Sequence, residues 1–301
     1  MTKFLGALVV LLTVLKASAD NVTLYVLPPL RPIDWTSPRT MAWSVLKGEI
    51  KARQGGSHQV GHGMIELYCE AQGEDKPVNL LTAITTDDGV DEKPLLLKQK
   101  VGLGLFFTPE AGRLETPPEI ADTLAEHLES GRVRFIQFQI NHANCMRTAR
   151  YYKEFVERGY DRHYGYPGRP RYGQGAGCTP YAYSYLEVAG VMTKEMRDAW
   201  NRRFYFPISL VGAPVTNNKV SILKLLADFH PSWIRGDGEY ATVDIQDAGW
   251  SHAWIGDVWN NHGKSKTDHF KPVMEKKAMG LYIDRSDAPE ERGPIWLTDH
   301  N

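Results

Sequence analysis

Cys178 and His62 are the residues of this chain whose surroundings suit covalent chemistry. Cys178 lies in GAGCTPYAYSYLEVAG, residues 175–190, where a glycine approach runs straight into a helix. Thr179 is placed to cap that helix and Pro180 suits its first turn. Ala182, Tyr185, Leu186 and Ala189 then recur at i, i+3, i+4 and i+7, and Gly190 ends it. A thiol at a helix N-terminus feels the positive end of the macrodipole, which favours the nucleophilic thiolate. Such a nucleophile needs a base, and it needs it only in space, not in sequence. His62 stands at the head of MIELYC, in which Ile65, Leu67 and Cys69 alternate with Met64, Glu66 and Tyr68 as in a half-buried strand. A structural cysteine buried ahead of an ordinary amphipathic helix would show the same local pattern.

The N-terminus carries Lys3, the apolar run from Phe4 to Leu15 and then Ala17-Ser18-Ala19, the form of a cleavable export signal. The run is shorter than the roughly 20 apolar residues a membrane span needs, so no transmembrane anchor is expected. Cleavage after Ala19 removes Lys3 and Lys16 from the 35 basic residues and leaves 33 against 36 acidic ones. That balance gives no reason to expect a nucleic-acid partner. Export to an oxidising compartment makes the cysteine count informative, because Cys69, Cys145 and Cys178 permit one internal pair and leave one thiol over. Cys69 ends the strand that His62 begins, on the Ile65 and Leu67 side, while Cys145 starts a helix after the strand RFIQFQIN. The expected disulfide is therefore Cys69 with Cys145, leaving Cys178 free; three unpaired cysteines is the alternative.

The elements that must position these residues follow from periodicity and punctuation. Strands are expected at NVTLYVL (21–27), from His62 to Cys69, at NLLTAITT (79–86), at LGLFFT (103–108) and at RFIQFQIN (134–141). Helices are expected from Pro38 to about Lys51, after a Thr116 cap to Glu129, after an Asn144 cap to about Arg158, and from a Thr193 cap to about Phe204. The glycine- and proline-rich segment 164–177 reads as a loop beside the reactive cysteine. Beyond residue 204 a short helix near 221–229 and strands at YATVDI and MGLYID suggest a mostly β extension. The layout is an α+β fold: signal peptide 1–19, N-terminal arm 20–55, core 56–190 and C-terminal extension 191–301.

A histidine entering a strand as His62-Gly63-Met64-Ile65, followed by further strands and then a cysteine opening a helix, resembles the circularly permuted papain-like superfamily of thiol hydrolases and acyltransferases. The resemblance spans about residues 56–190. It implies a papain-like core of antiparallel strands packed on helices, with Cys178 as nucleophile and His62 as base. It also implies a polar third residue at the start of the next strand, where Asn79 stands, with Glu66 as a rival on the histidine strand itself. The superfamily's asparagine directly before the cysteine occurs here at Asn144-Cys145, which keeps Cys145 open as the nucleophile.

The implied activity is cleavage or transfer of an amide or ester through an acyl-enzyme, with no cofactor. Peptide, amide or lipid-ester substrates fit, and cell-wall peptides fit the export signal. The basic residues Arg147, Arg150, Lys153, Arg158, Arg162, Arg169 and Arg171, between the two cysteines, could hold a thiolate or an acidic substrate. Two rival readings stand beside this one. The first is a non-catalytic binding module on the same core. The second is a metal-dependent hydrolase using His252, Asp257, His262 and His269; the spacing of His58, His62 and Glu66 would suit a metal only on a helix, which the surrounding glycines oppose.

Overall fold

The computed structural model describes residues 19–299 apart from 53–59, 74–75, 89, 91–93, 166–167, 229–232, 234–237 and 265–268. The expected export signal, up to residue 18, and His58 lie outside the described residues. In chain order the elements are β1 (Asn21–Leu27), α1 (Pro38–Ala52), β2 (His62–Cys69), β3 (Val78–Thr82), β4 (Ile84–Thr86), β5 (Glu110–Leu114), α2 (Pro117–Ser130), β6 (Arg134–Ile140) and α3 (His142–Glu157). They continue with β7 (His163–Tyr164), α4 (Cys178–Val188), α5 (Lys194–Trp200), β8 (Asn201–Pro207), α6 (Ile222–Leu226), β9 (Tyr240–Gln246), α7 (Ala248–Asn260), β10 (Lys271–Glu275) and β11 (Ala278–Arg285). The fold is α+β.

Strict alternation in the strands builds a six-stranded sheet in the order β10-β11-β6-β1-β2-β3, antiparallel except where β11 runs parallel to β6. Val22, Leu24 and Val26 of β1, with Ile65 and Leu67 of β2, join one hydrophobic cluster with residues of α3, α4 and α7. Tyr25 and Leu27 join another with Met64 and with Ile120, Leu124 and Leu128 of α2. The sheet is thus buried on both faces. The expected N-terminal arm is instead a central strand, since β1 pairs with β2 on one side and β6 on the other. Its unbroken burial across six of seven positions demands neighbours on every side. The expected C-terminal extension likewise adds β11 and β10 to this sheet, and α7 packs on it. Sequence position therefore does not separate a core from its appendages.

Several elements depart from expectation for identifiable reasons. NLLTAITT splits at Ala83, so that β3 stays in the main sheet while β4 leaves to pair with β5. LGLFFT forms a 3-10 turn at Leu103–Phe107, held by contacts such as the Gly104 amide to the Val101 carbonyl (2.8 Å). The helix α3 starts one turn earlier than expected, because Asn141, not Asn144, accepts the amide of Asn144 at 2.9 Å and acts as the cap. Helix α5 stops at Trp200, where β8 begins in partnership with β9. α7, apolar and aromatic almost all round, was not expected; its mixed face gives no clear stripe because it is packed against both α5 and the sheet.

Cys69 and Cys145 form a disulfide, their Cα atoms 5.8 Å apart and 76 residues distant in sequence, tying the far end of β2 to α3. Cys178 is the free cysteine. Closing so long a loop restricts the unfolded chain and contributes about 4 kcal/mol on the chain-entropy account. Replacing both Cys69 and Cys145 by serine is expected to lower unfolding free energy by about that much in urea titrations. Alkylation of the unreduced, denatured wild type should label Cys178 alone; label on Cys69 or Cys145 would contradict the pairing.

Candidate active site

Cys178 is the first residue of α4, with Gly177 as the N-cap; Thr179, expected to cap, is the second helical residue. The helix is buried around almost its whole circumference, from Cys178 to Val188. A buried helix fixes its own N-terminus, and with it the sulfur. Two glycines of the β2 approach let the strand come close. Gly61 has φ +87° and a side chain there would meet Ala248 and the Leu27 carbonyl at 2.9 Å. A side chain at Gly63 would press on the Cys178 carbonyl at 3.2 Å and on Ala182 at 3.3 Å. With no side chain, Gly63 donates its amide to the Cys178 sulfur, and Thr179 Oγ1 lies 3.9 Å from it.

His62 lies between this sulfur and a carboxylate that no spacing rule had singled out. Its imidazole is hydrogen-bonded to Cys178, and its Nε2 is 2.8 Å from Glu115 Oε1. With Nε2 on the carboxylate, Nδ1 is the nitrogen left for the thiol. All three side chains are buried: Cys178 is 8% exposed and His62 3%. Burial alone would push the imidazole towards neutrality, but the Cys178 thiolate and Glu115 outweigh it and raise His62 to about 10. Burial raises the Cys178 thiol, and the imidazolium, the Gly63 amide and the Thr179 hydroxyl together overcome that and lower it. The pair is thus biased towards thiolate and imidazolium, with Glu115 against the far side of the ring.

Glu115 is held by the start of α2. Its amide bonds the Ala83 carbonyl at 3.0 Å, and the next residue, Thr116, caps α2 through a capping box with Glu119. Arg113, on the other side, binds Glu119 through both terminal nitrogens (2.9 and 3.0 Å). The sequence showed the capping box but not that its preceding residue faces His62. That juxtaposition depends on β5 returning beside β4, a pairing hidden by reading 103–108 as a strand.

Asn79 does not take the third position. It is exposed on β3 opposite Tyr68, six residues along β2 from His62, or about 20 Å at strand rise. Glu66 instead accepts the Tyr25 hydroxyl at 2.9 Å. Cys145 is consumed in the disulfide, and its neighbour Asn144 anchors the C-terminal segment through the Glu291 amide and the Pro289 carbonyl. Four of the seven basic residues between the cysteines are engaged with the C-terminal segment. Arg147 binds the Val188 and Gly293 carbonyls, Arg171 the Ile295 and Pro294 carbonyls, Arg169 pairs with Asp299, and Arg158 lies over Trp296.

The C-terminal histidines do not converge. His252 Nε2 lies 3.1 Å from the Arg132 carbonyl, and burial, aided by nearby Arg134, pushes its pKa down to about 4. His269 packs on Phe270. Among the described residues no three metal-ligating side chains group together. No protein family, curated protein or solved structure matches the chain.

Two predictions follow from the ion pair. His62 has its folded pKa raised from 6.5, so its stabilising contribution is complete below 6.5 and lost as pH rises through about 10. Cys178 has its folded pKa lowered from 9.0, so its contribution is present above 9.0 and lost as pH falls through the lowered value. Cys178 in the wild type is therefore expected to alkylate with iodoacetamide near pH 6.5 roughly tenfold or more faster than in His62→Ala, where only about 1% of an ordinary thiol is ionised. Matching pH–rate profiles for the two proteins would remove His62 from the thiol's environment. In NMR titrations of the ring, Glu115→Gln should bring the His62 pKa down, by about one unit per 1.4 kcal/mol of lost interaction, while Asn79→Ala leaves it in place.

Proposed function

We propose that this protein is an exported cysteine hydrolase or acyltransferase that acts on an amide or ester through an acyl-enzyme. The observation that carries this reading is the buried chain Cys178–His62–Glu115, with its thiol at the start of a helix and its pKa lowered by the His62 ring. In the proposed cycle the Cys178 thiolate attacks the carbonyl carbon. The oxyanion develops against amides of the first turn of α4, where Cys178 and Thr179 have no helical acceptor to serve. Collapse breaks the bond to the amine or alcohol, which leaves with the Nδ1 proton of His62. Neutral His62 then takes a proton from water or an acceptor alcohol or amine, whose attack on the thioester releases the acyl group and restores the ion pair.

The order of histidine strand, further strands and cysteine helix supports a kinship with permuted papain-like enzymes, as does contact between α4 and β2. The apolar leader and the Cys69–Cys145 pair support an oxidising compartment outside the cytosol. No helix among the described residues is long and apolar enough to cross a membrane. Cell-wall peptides are the first substrates to try, with lipid esters next.

The test is a burst experiment with p-nitrophenyl acetate. Wild type should release about one equivalent of nitrophenol rapidly and carry an acetyl group on the Cys178 peptide, and Cys178→Ala should show neither. His62→Ala is expected to slow the burst by about 10²-fold or more. A wild-type protein that gives no burst and no adduct, yet still binds peptides or lipids, would be a binding module and not an enzyme.

A further inference from the structure

Segments distant in sequence are knotted together around Val101. Val101 forms a parallel bridge with Val220, and Gly102 an antiparallel one with Val211. The Val101 amide bonds the Leu95 carbonyl at 3.2 Å, and the Val101 carbonyl accepts the Gly212 amide at 2.9 Å. Val211 and Val220 are buried in a cluster with residues of α1, α6, β8 and β9. Outside this knot the same segments carry a different chemistry. Leu97, in the π-helical turn Pro94–Gln99, is 60% exposed, Val215, in the turn after Gly212, is 43% exposed, and Leu223 of α6 is 73% exposed.

An exposed aliphatic side chain on its own means little. What sets these apart is the charge around them. Residues 94–107 and 208–227 hold four lysines, Lys98, Lys100, Lys219 and Lys224, and no aspartate or glutamate. All four are exposed. The parallel bridge of Val101 with Val220 sets Lys100 beside Lys219, two like charges that repel. Among the described residues Lys98, Lys100 and Lys219 enter no ion pair, while Lys224 Nζ lies 2.7 Å from the Ser209 carbonyl and so stays on the knot. Lys100 also has φ +59°, a left-handed backbone that favours glycine. Unfavourable conformations of this kind persist where function holds the side chain.

We propose that this face docks on an anionic lipid surface. The leucine and valine tips enter between the headgroups, and the lysines lay their stems along the apolar surface with the ammonium groups at the level of the phosphates. An acidic protein partner would call for a continuous apolar patch or groove; separate tips among lysines suit a fluid surface that closes around each one. With 33 basic against 36 acidic residues, the chain after Ala19 has no overall attraction for an anionic surface, so adhesion has to come from this face. The face shares no residue with Cys178, His62 and Glu115, and does not depend on the thiol chemistry.

The test is sedimentation of the mature chain, starting at Asp20 so that the apolar leader takes no part, with two kinds of vesicle. One is phosphatidylcholine alone and the other is equal parts phosphatidylcholine and phosphatidylglycerol. Binding to the anionic vesicles is expected to be about tenfold or more tighter than to the neutral ones, and to be lost near about 1 M salt, where the screening length falls to about 3 Å. Leu97→Ser with Leu223→Ser, and separately Lys100→Gln with Lys219→Gln, should each weaken it about tenfold or more. All four positions are exposed, so the urea midpoints should not move. Lys153→Gln on α3, at a side chain 73% exposed, and Cys178→Ala should leave binding unchanged. Equal affinity for both vesicles, sedimentation with neither, or binding that survives both double substitutions would overturn the proposal. Binding abolished by Cys178→Ala would assign the lipid to the thiol site and overturn it as well. Capture of soluble polyglutamate without vesicle binding would give the face to an acidic protein instead.

Discussion

Three titratable groups buried side by side, Cys178, His62 and Glu115, set the terms for the rest of this fold. A thiolate, an imidazolium and a carboxylate out of contact with water would be costly if any one of them lost its partner. The backbone supplies what water does not. Cys178 opens α4, and Glu115 immediately precedes the cap of α2, so each acidic group sits at the positive end of a helix, which favours its negative form, with the His62 ring between them. Gly63, by lacking a side chain, adds an amide directly on the sulfur.

This arrangement explains why the surrounding scaffold is so completely interior. A first helical turn that drifted by an ångström would separate thiol from imidazole, and α4 is held against drift by burial on nearly every face. Inside it Tyr181 bonds Thr82 at 3.0 Å and Tyr185 at 2.6 Å, while Ser184 meets Tyr151 at 2.9 Å, so polar groups as well as apolar ones fix its rotation. The far end of β2 is fastened to α3 by the Cys69–Cys145 bond. The strand carrying His62 is therefore anchored at one end by a covalent bond and at the other by the contacts of His62 with Cys178 and Glu115.

The C-terminal segment extends the same logic. Residues 288–299 run across α3 and the loop ahead of Cys178, with Trp296 set among Tyr151, Phe155 and Tyr160 and its indole N–H bonded to Glu154 at 2.5 Å. Arginines that a charge count would assign to an anion are spent on the carbonyls of this strap. Their side chains stabilise the loop that delivers the cysteine, and reach the chemistry only through it.

Local rules were enough to read what is written locally. The glycine-terminated helix after Cys178, the strand headed by His62, the capping box at Thr116 and the α+β class follow from periodicity, caps and turn residues, each a matter of a few neighbouring positions. The cysteine division was legible too, because strand parity puts Cys69 on the same face as Ile65 and Leu67, towards the helix that Cys145 enters. What the tertiary structure alone decided are the long-range pairings. Asn79 was the expected third residue because it opens the next strand, yet antiparallel pairing sends that end of β3 to Tyr68, far from His62. Glu115 arrives instead by the β4–β5 return, across 53 positions of sequence that carry no shared period with His62. β1 and β11 reached the sheet's interior in the same way, since neither the partner of a strand nor its parallel or antiparallel sense is encoded in its own alternation.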